Sequence, residues 1–243
     1  MKKIYLAGPD VFAPNNIQIG KNNKKICEEN GFIGFYPLDI EIKRTSLDVK
    51  YDIVKADILA IEQSDYVIAN LSNFRGTMLH PSCDSGTAWE CGYGLAKGKK
   101  VLGYTTNLRS IPDIMLNQLD LITIGDLNDI LQIAKKTSFK LNHNMSVLMG
   151  NETKFSIDPE HSDINDASAE SAFILGYRYG KGLSCNAIIT DARSEKDKFG
   201  IIDKNGYKTD DFNQCVNIMI ECTCNIQERG RDGRNSFCDT QQR

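Results

Sequence analysis

An α/β fold, built as a five-stranded parallel sheet sandwiched by helices, is what residues 1–142 of this 243-residue chain predict. Two observations carry that reading. Short apolar runs alternate with stretches of helical periodicity, which places a covering helix between successive strands. The runs are apolar throughout rather than alternating with polar residues, so both faces of the sheet are expected to be covered.

The elements follow in order. Lys3 to Ala7 is a short strand that stops at Gly8-Pro9. Residues 17–30 have the composition of a helix, and Gly31 is a natural stop after it. Phe32 to Tyr36 is a second strand, ended by Pro37. Residues 50–63 form a helix with Ile53, Ala56, Ala60 and Ile61 on one face. Tyr66 to Leu71 is a buried strand, and residues 86–97 form a helix closed by Gly98. Val101 to Tyr104 and Leu121 to Ile124 are the last two strands, followed by a helix from Leu127 to Ala134. In such sheets ligands sit beyond the carboxyl ends of the strands. The turns after Ala7, Tyr36 and Leu71 are therefore expected to line the site.

Residues 143–226 form an extension of different character, richer in Asn, Asp and Ser and with weaker strand signals. It contains an internal echo. Ala172-Phe173-Ile174-Leu175-Gly176-Tyr177 with Lys181-Gly182 parallels Ala88-Trp89-Glu90-Cys91-Gly92-Tyr93 with Lys97-Gly98, and Arg193-Ser194 parallels Arg109-Ser110. So few identities read either as a degenerate, inactive partial repeat or as chance. Residues 227–243 carry Glu228, Arg229, Arg231, Asp232 and Arg234 among glycines, which suits a flexible tail.

Composition narrows the function classes. At 41% hydrophobic residues the chain can bury a sizeable core, and a net charge of -3 does not suit binding to a nucleic-acid backbone. No apolar run approaches the roughly 18 residues of a membrane span. Gly8-Pro9-Asp10 cuts the N-terminal apolar stretch too short for a signal peptide. The 8 cysteines include no CxxC pair and suit scattered thiols in a reducing compartment, so a cytoplasmic location is expected.

Acidic residues cluster where this fold would place its pocket. Asp84 precedes a helix and Glu90 lies near that helix's start. The helix dipole favours an ionised carboxylate there, as glycosyl chemistry requires of a nucleophile. The plainer alternative makes Asp84 a helix cap and Glu90 a solvated residue. Small and apolar neighbours from Ala88 to Gly94 favour a Glu90 turned into a pocket. Tyr5 ends the first strand, where a phenol can donate to a carboxylate, or it is an ordinary core tyrosine. Asp57 lies beside the apolar face of its helix, or it is simply exposed. No GxGxxG or GxxxxGK[ST] occurs, so no dinucleotide or phosphate loop is indicated.

Tyr5-Leu6-Ala7-Gly8-Pro9-Asp10-Val11-Phe12, Asp57, Asp65 to Ser72, Phe74-Arg75-Gly76 and Asp84 to Tyr93 together resemble nucleoside 2-deoxyribosyltransferases in order and spacing, over roughly residues 3–134. The resemblance implies a flavodoxin-like or Rossmann-like sheet. It also implies a retaining double displacement that moves 2-deoxyribose between nucleobases. Glu90 would be the nucleophile and Tyr5 its orienting partner, with Asp57 and Asp84 contacting base or sugar and aiding proton transfer. Gly8, Pro9, Phe12, Asn70, Arg75 and Gly76 would line the substrate site.

The family places an Asn-Leu-Met segment of a neighbouring subunit over the deoxyribose, so a homo-oligomer is implied. The segment here reads Asp113-Ile114-Met115-Leu116, which makes Asp113 and Met115 the expected contacts with aspartate in place of asparagine. Asn217-Ile218-Met219 resembles the missing motif, and a fused lobe in which Ile174 replaces the nucleophile would then donate Asn217. No metal or organic cofactor is expected, because two carboxylate roles suffice. Partners are 2-deoxynucleosides and free nucleobases, with no nucleic acid and no membrane. The alternatives are an N-glycosidase acting on deoxynucleosides or their 5′-monophosphates, and a non-catalytic nucleotide-binding module. Glycosidase relatives tend to carry serine where this chain has Asp84.

Overall fold

The structure is a computed structural model, and it describes residues 1–40, 49–74, 78–136, 155–157, 168–189, 207–208, 217–229 and 235–237. Its first sheet has strands β1 (Lys2–Ala7), β2 (Phe32–Phe35), β3 (Tyr66–Asn70), β4 (Lys100–Thr105) and β5 (Leu121–Ile124), all parallel in the order β2-β1-β3-β4-β5. The helices are α1 (Asn16–Glu29), α2 (Val49–Glu62), α3 (Ser85–Ala96), α4 (Asp113–Gln118) and α5 (Leu127–Lys136). Long helices begin and end within about two residues of their expected bounds. The short α4, which follows Pro112, has no sequence signal strong enough to separate it from a turn.

Strand alternation divides the core in two. Ile4, Leu6, Tyr66, Ile68 and Leu102 pack with Cys27, Ile130 and Leu131 on the side of α1 and α5. Tyr5, Ala7, Val67, Ala69 and Val101 face the opposite side, with Val54, Ile61 and Trp89 of α2 and α3. A period of two therefore aims Tyr5 at the helix that carries Glu90.

Every residue of α3 is buried. A helix of sequence SGTAWECGYGLA has no polar face to give to water, so it must be covered all round. One side lies on the sheet, where a Cβ on Gly94 would come 2.8 Å from Val67. The other side meets α6 (Ala169–Gly180). The two helices cross backbone to backbone: a Cβ on Gly92 would stand 2.0 Å from the carbonyl oxygen of Phe173, and one on Gly176 2.0 Å from that of Trp89. Only glycine permits so close an approach.

A second sheet follows, with β6 (Phe155–Ile157), β7 (Asn186–Ile189), β8 (Asn225–Arg229) and β9 (Asn235–Phe237) in that order. The first three are parallel and β9 runs antiparallel to β8. Helix α7 (Ile218–Glu221) leads into β8. The stretch expected to be a tail thus holds the end of β8 and all of β9. There backbone pairing of Gln227–Arg229 with Asn235–Phe237 supplies the order, and residues 230–234 and 238–243 lie outside the described residues. No helix of the described residues is long and apolar enough to cross a membrane.

Candidate active site

Tyr5 leaves β1 on the α3 side, fully buried, and its Oη donates a 2.5 Å hydrogen bond to Oε1 of Glu90. Asp57 comes from the buried face of α2 and is 6% exposed, against 7% for Glu90. Its carboxyl group is close enough to the Tyr5 hydroxyl for the two to shift one another, while the hydroxyl hydrogen itself goes to Glu90. Three polar side chains from β1, α2 and α3 converge in an otherwise apolar interior.

Burial decides their protonation. Loss of water pushes Asp57 up to about 7, against the smaller opposing effect of the Tyr5 hydrogen bond. Glu90 is raised well above the ordinary glutamate range, first by burial and then by the nearby Asp57 charge. The Tyr5 bond opposes this and Asp84 adds to it. Tyr5 is itself raised by burial and by the Asp57 and Glu90 charges, so it remains a donor. The expectation that the helix terminus would keep Glu90 ionised is therefore incomplete. Desolvation and like charge outweigh the dipole, so both carboxyl groups hold their protons to higher pH than free carboxyl groups do.

Asp84 is both a cap and a neighbour of the site. Its Oδ2 accepts from Thr87 N at 2.8 Å and from Thr87 Oγ1 at 2.7 Å, which fixes the start of α3. It is 3% exposed, and its charge is felt at Glu90.

The remaining expected residues divide into three groups. Gly8, Pro9 and Asn70 lie together at the carboxyl ends of β1 and β3, where Asn70 Nδ2 donates to the Asp10 carboxylate at 3.3 Å. Phe12 stacks on Phe74 with ring centroids 5.4 Å apart. Arg75 and Gly76 lie outside the described residues. Asp113 is exposed at the start of α4, and Met115 is fully buried. Their helix packs on α6. Asp10 was not singled out as a site residue. Burial raises its carboxyl group, and only its place beside Gly8 could have marked it.

Among the described residues no group of three or more His, Cys, Asp or Glu is arranged to hold a metal ion.

Comparisons with known proteins bear on this arrangement. The family model described as nucleoside 2-deoxyribosyltransferase matches residues 4–219. A Schizosaccharomyces pombe protein, Uncharacterized protein C191.05c, is 35% identical over 114 residues, which is 45% of this chain and 53% of that protein. The chain thus spans about half the length of the curated relative it matches. Among solved structures, a 2-deoxyribosyltransferase from Bacillus psychrosaccharolyticus is 24% identical with a TM-score of 0.42, over 53% of this chain and 90% of that one. A 2-desoxiribosyltransferase from Leishmania mexicana is 28% identical with a TM-score of 0.38, over 64% and 90%. A CMP N-glycosidase from Clostridium botulinum is 18% identical with a TM-score of 0.38, over 56% and 100%. With its family model running from β1 into α7, the chain belongs to the nucleoside 2-deoxyribosyltransferase family.

Proposed function

We propose that the chain moves 2-deoxyribose from one nucleobase to another by a retaining double displacement, with Glu90 as nucleophile. The observation that carries this reading is the buried Tyr5–Glu90 hydrogen bond with Asp57 beside it. Two neighbouring buried carboxyl groups can divide between them the carboxylate and carboxylic-acid roles that a retaining glycosyl transfer consumes.

The ionised oxygen of Glu90 attacks the anomeric carbon as its bond to the base nitrogen breaks. Asp57, raised to about 7 by burial, delivers its proton to the departing base. Tyr5 holds the glutamate rotamer and takes up part of its charge. The product is a glutamyl deoxyribose ester. A second base attacks the same carbon from the opposite face, the ester bond breaks, Glu90 is released as carboxylate, and Asp57 regains a proton from the incoming nitrogen. The absent 2′-hydroxyl eases the oxocarbenium-like transition state. Water in place of the second base would give hydrolysis, so exclusion of water separates transferase from glycosidase.

Asp84 shapes the choice of substrate. An unoccupied helix N-terminus attracts phosphate, whereas here a carboxylate already takes that position. Deoxynucleosides are therefore the substrates rather than their 5′-monophosphates.

Incubation with deoxyinosine and free adenine, followed by chromatography, tests the reading. New deoxyadenosine is the expected result. Hypoxanthine alone would make the chain a glycosidase, and no change would favour a binding module. Glu90→Ala should lower turnover by about three orders of magnitude or more while the circular dichroism spectrum stays native. Near-normal exchange by that variant would remove Glu90 from the nucleophile's role. Better turnover of deoxyinosine 5′-monophosphate than of deoxyinosine would overturn the assignment to Asp84.

A further inference from the structure

Two cysteines stand side by side where the second sheet begins. β7 and β8 are parallel neighbours, with Asn186 opposite Asn225 and Ala187 opposite Ile226. The ladder reaches one residue further back, because Asn225 N donates to the Cys185 carbonyl at 2.8 Å. Cys185 and Cys224 therefore sit together at the amino ends of the two strands. Neighbouring strands run about 4.8 Å apart, inside the roughly 4.4–6.8 Å between Cα atoms that a disulfide spans. Alternation gives the two side chains one face: Cys185 and Ala187 share a buried cluster with Cys224 and Ile226. Both thiols are free.

Their surroundings make the two thiols unlike. Cys185 Sγ lies under α6, 3.5 Å from the Leu175 carbonyl oxygen. The buried Arg178 of the same helix donates through Nε and Nη2 to the Ser184 carbonyl, one residue before Cys185. Cys185 is lowered from the ordinary thiol range, first by the Cys224 thiol beside it and, against burial, by the Arg178 cation. Cys224 is raised well above that range, first by Cys185 and then by burial. Burial also pushes Cys27 and Cys222 up to about 12 and raises Cys91 further. One thiol of the pair thus gives up its proton readily, and its neighbour keeps it.

We propose that Cys185 and Cys224 form a modification site at which a hydroperoxide makes one reversible disulfide, fastening β7 to β8. The Cys185 thiolate attacks one oxygen of the peroxide. The O–O bond breaks, two electrons pass from sulfur to the peroxide, and the leaving oxygen takes up the proton that the thiol released. Water leaves if the oxidant is hydrogen peroxide, an alcohol if it is an organic hydroperoxide. The Cys224 sulfur then attacks the Cys185 sulfenic acid. The S–S bond forms, the S–O bond breaks, and hydroxide departs with the Cys224 proton as a second water. A reducing thiol reverses the product by exchange.

The bond has a consequence for the second half of the chain. β7 follows α6 and β8 follows α7, and both helices lie against α3. A Cys185–Cys224 disulfide therefore ties together the two segments that cover the helix of Glu90. The Tyr179 ring borders the same thiols: burial raises its hydroxyl first, followed by Cys185, Cys224 and Cys222. That ring also meets Trp89 and Tyr93 of α3, with centroids 5.7 and 6.1 Å apart. The site does not depend on which reaction Glu90 carries.

The full-length chain tests this without any substitution. Reduced protein is treated with equimolar hydrogen peroxide, unfolded in N-ethylmaleimide and mapped by mass spectrometry without reduction. The expected product is a peptide pair joined through Cys185 and Cys224 and lighter by two hydrogen atoms, with Cys27 and Cys91 carrying the maleimide. Maleimide on both Cys185 and Cys224, or either of them joined to another cysteine, would overturn the site. Cys224→Ala removes the second thiol, so dimedone should capture a sulfenic acid on Cys185 about tenfold faster than on Cys222. Equal capture at the two positions would overturn the role of Cys185 as the attacking thiol. If that variant fails to fold, the map of the unmodified chain decides alone. Oxidation should also raise the urea midpoint by about 1 M, and dithiothreitol should return it. A joined chain with the midpoint of the reduced one would overturn the fastening of β7 to β8.

Discussion

One phenol and two carboxyl groups make an expensive interior. Asp57 and Glu90 are buried with no cation among the partners that shift them, and both are raised by loss of water. The stability consequence has a definite sign. Below pH 3.8 Asp57 is protonated whether the chain is folded or not. Between 3.8 and about 7 the unfolded chain gives up that proton while the folded chain keeps it, so stability falls as pH rises. Asp57→Asn removes the titration. Relative to the unmodified chain it should gain stability on going from pH 4 to pH 7, on the order of 3 kcal/mol, while losing turnover. Urea denaturation at the two pH values measures the gap. A gap unchanged with pH would mean that Asp57 titrates as an ordinary surface carboxylate. Sequence reasoning found these residues through the resemblance. The alternation of β1 gave the face of Tyr5, but a partner 85 positions away is not visible in local periodicity. The sign of the Glu90 shift was also out of reach, because desolvation is set by what surrounds the helix.

At the scale of elements, α3 shows how a helix can hold a carboxylate in an apolar setting. Trp89, Gly92, Tyr93 and Ala96 recur at the spacing of one face, and that face meets α6. Glu90 and Gly94 fall on the side that faces β1 and β3. The sequence shows that α3 must be covered all round, since it offers no polar stripe. It does not show what covers it. The backbone contact at Gly92 and Gly176 makes this crossing intolerant of any side chain. Gly176→Val should destabilise the protein by about 2–3 kcal/mol, read as a lower denaturant midpoint. It should also reduce turnover, because α3 would be pushed against the Tyr5–Glu90 bond. An unchanged midpoint would mean that the two helices can part without cost.

For the whole molecule, the second half is part of the same core. Phe173, Leu175, Tyr177, Ile218, Met219 and Ile220 belong to one buried cluster with Tyr5, Trp89 and Val101. An ion pair between Lys50 and the buried Glu221 also ties α2, the helix of Asp57, to α7. A fragment ending at residue 142 would expose the Trp89–Tyr93 face and lose the chain's only tryptophan's cover. Such a fragment should associate more strongly than the full chain at the same micromolar concentration, read by sedimentation velocity. A stable monomeric fragment with native-like melting would show that the first half does not depend on the second.

The sequence by itself determined the α/β class, the parallel order implied by strand–helix alternation, and the helix bounds to within about two residues. Those properties are written in short-range periodicity, which a single chain displays. It also supplied, through matching motifs, the four residues Tyr5, Asp57, Asp84 and Glu90. Only the tertiary structure decided that burial raises both Asp57 and Glu90, that α6 covers α3, and that Asn217 lies beside Gly86, one turn before Glu90. Each of these depends on contacts between segments far apart in the chain. Desolvation and close packing are properties of the assembled interior, and no local pattern of residues encodes them.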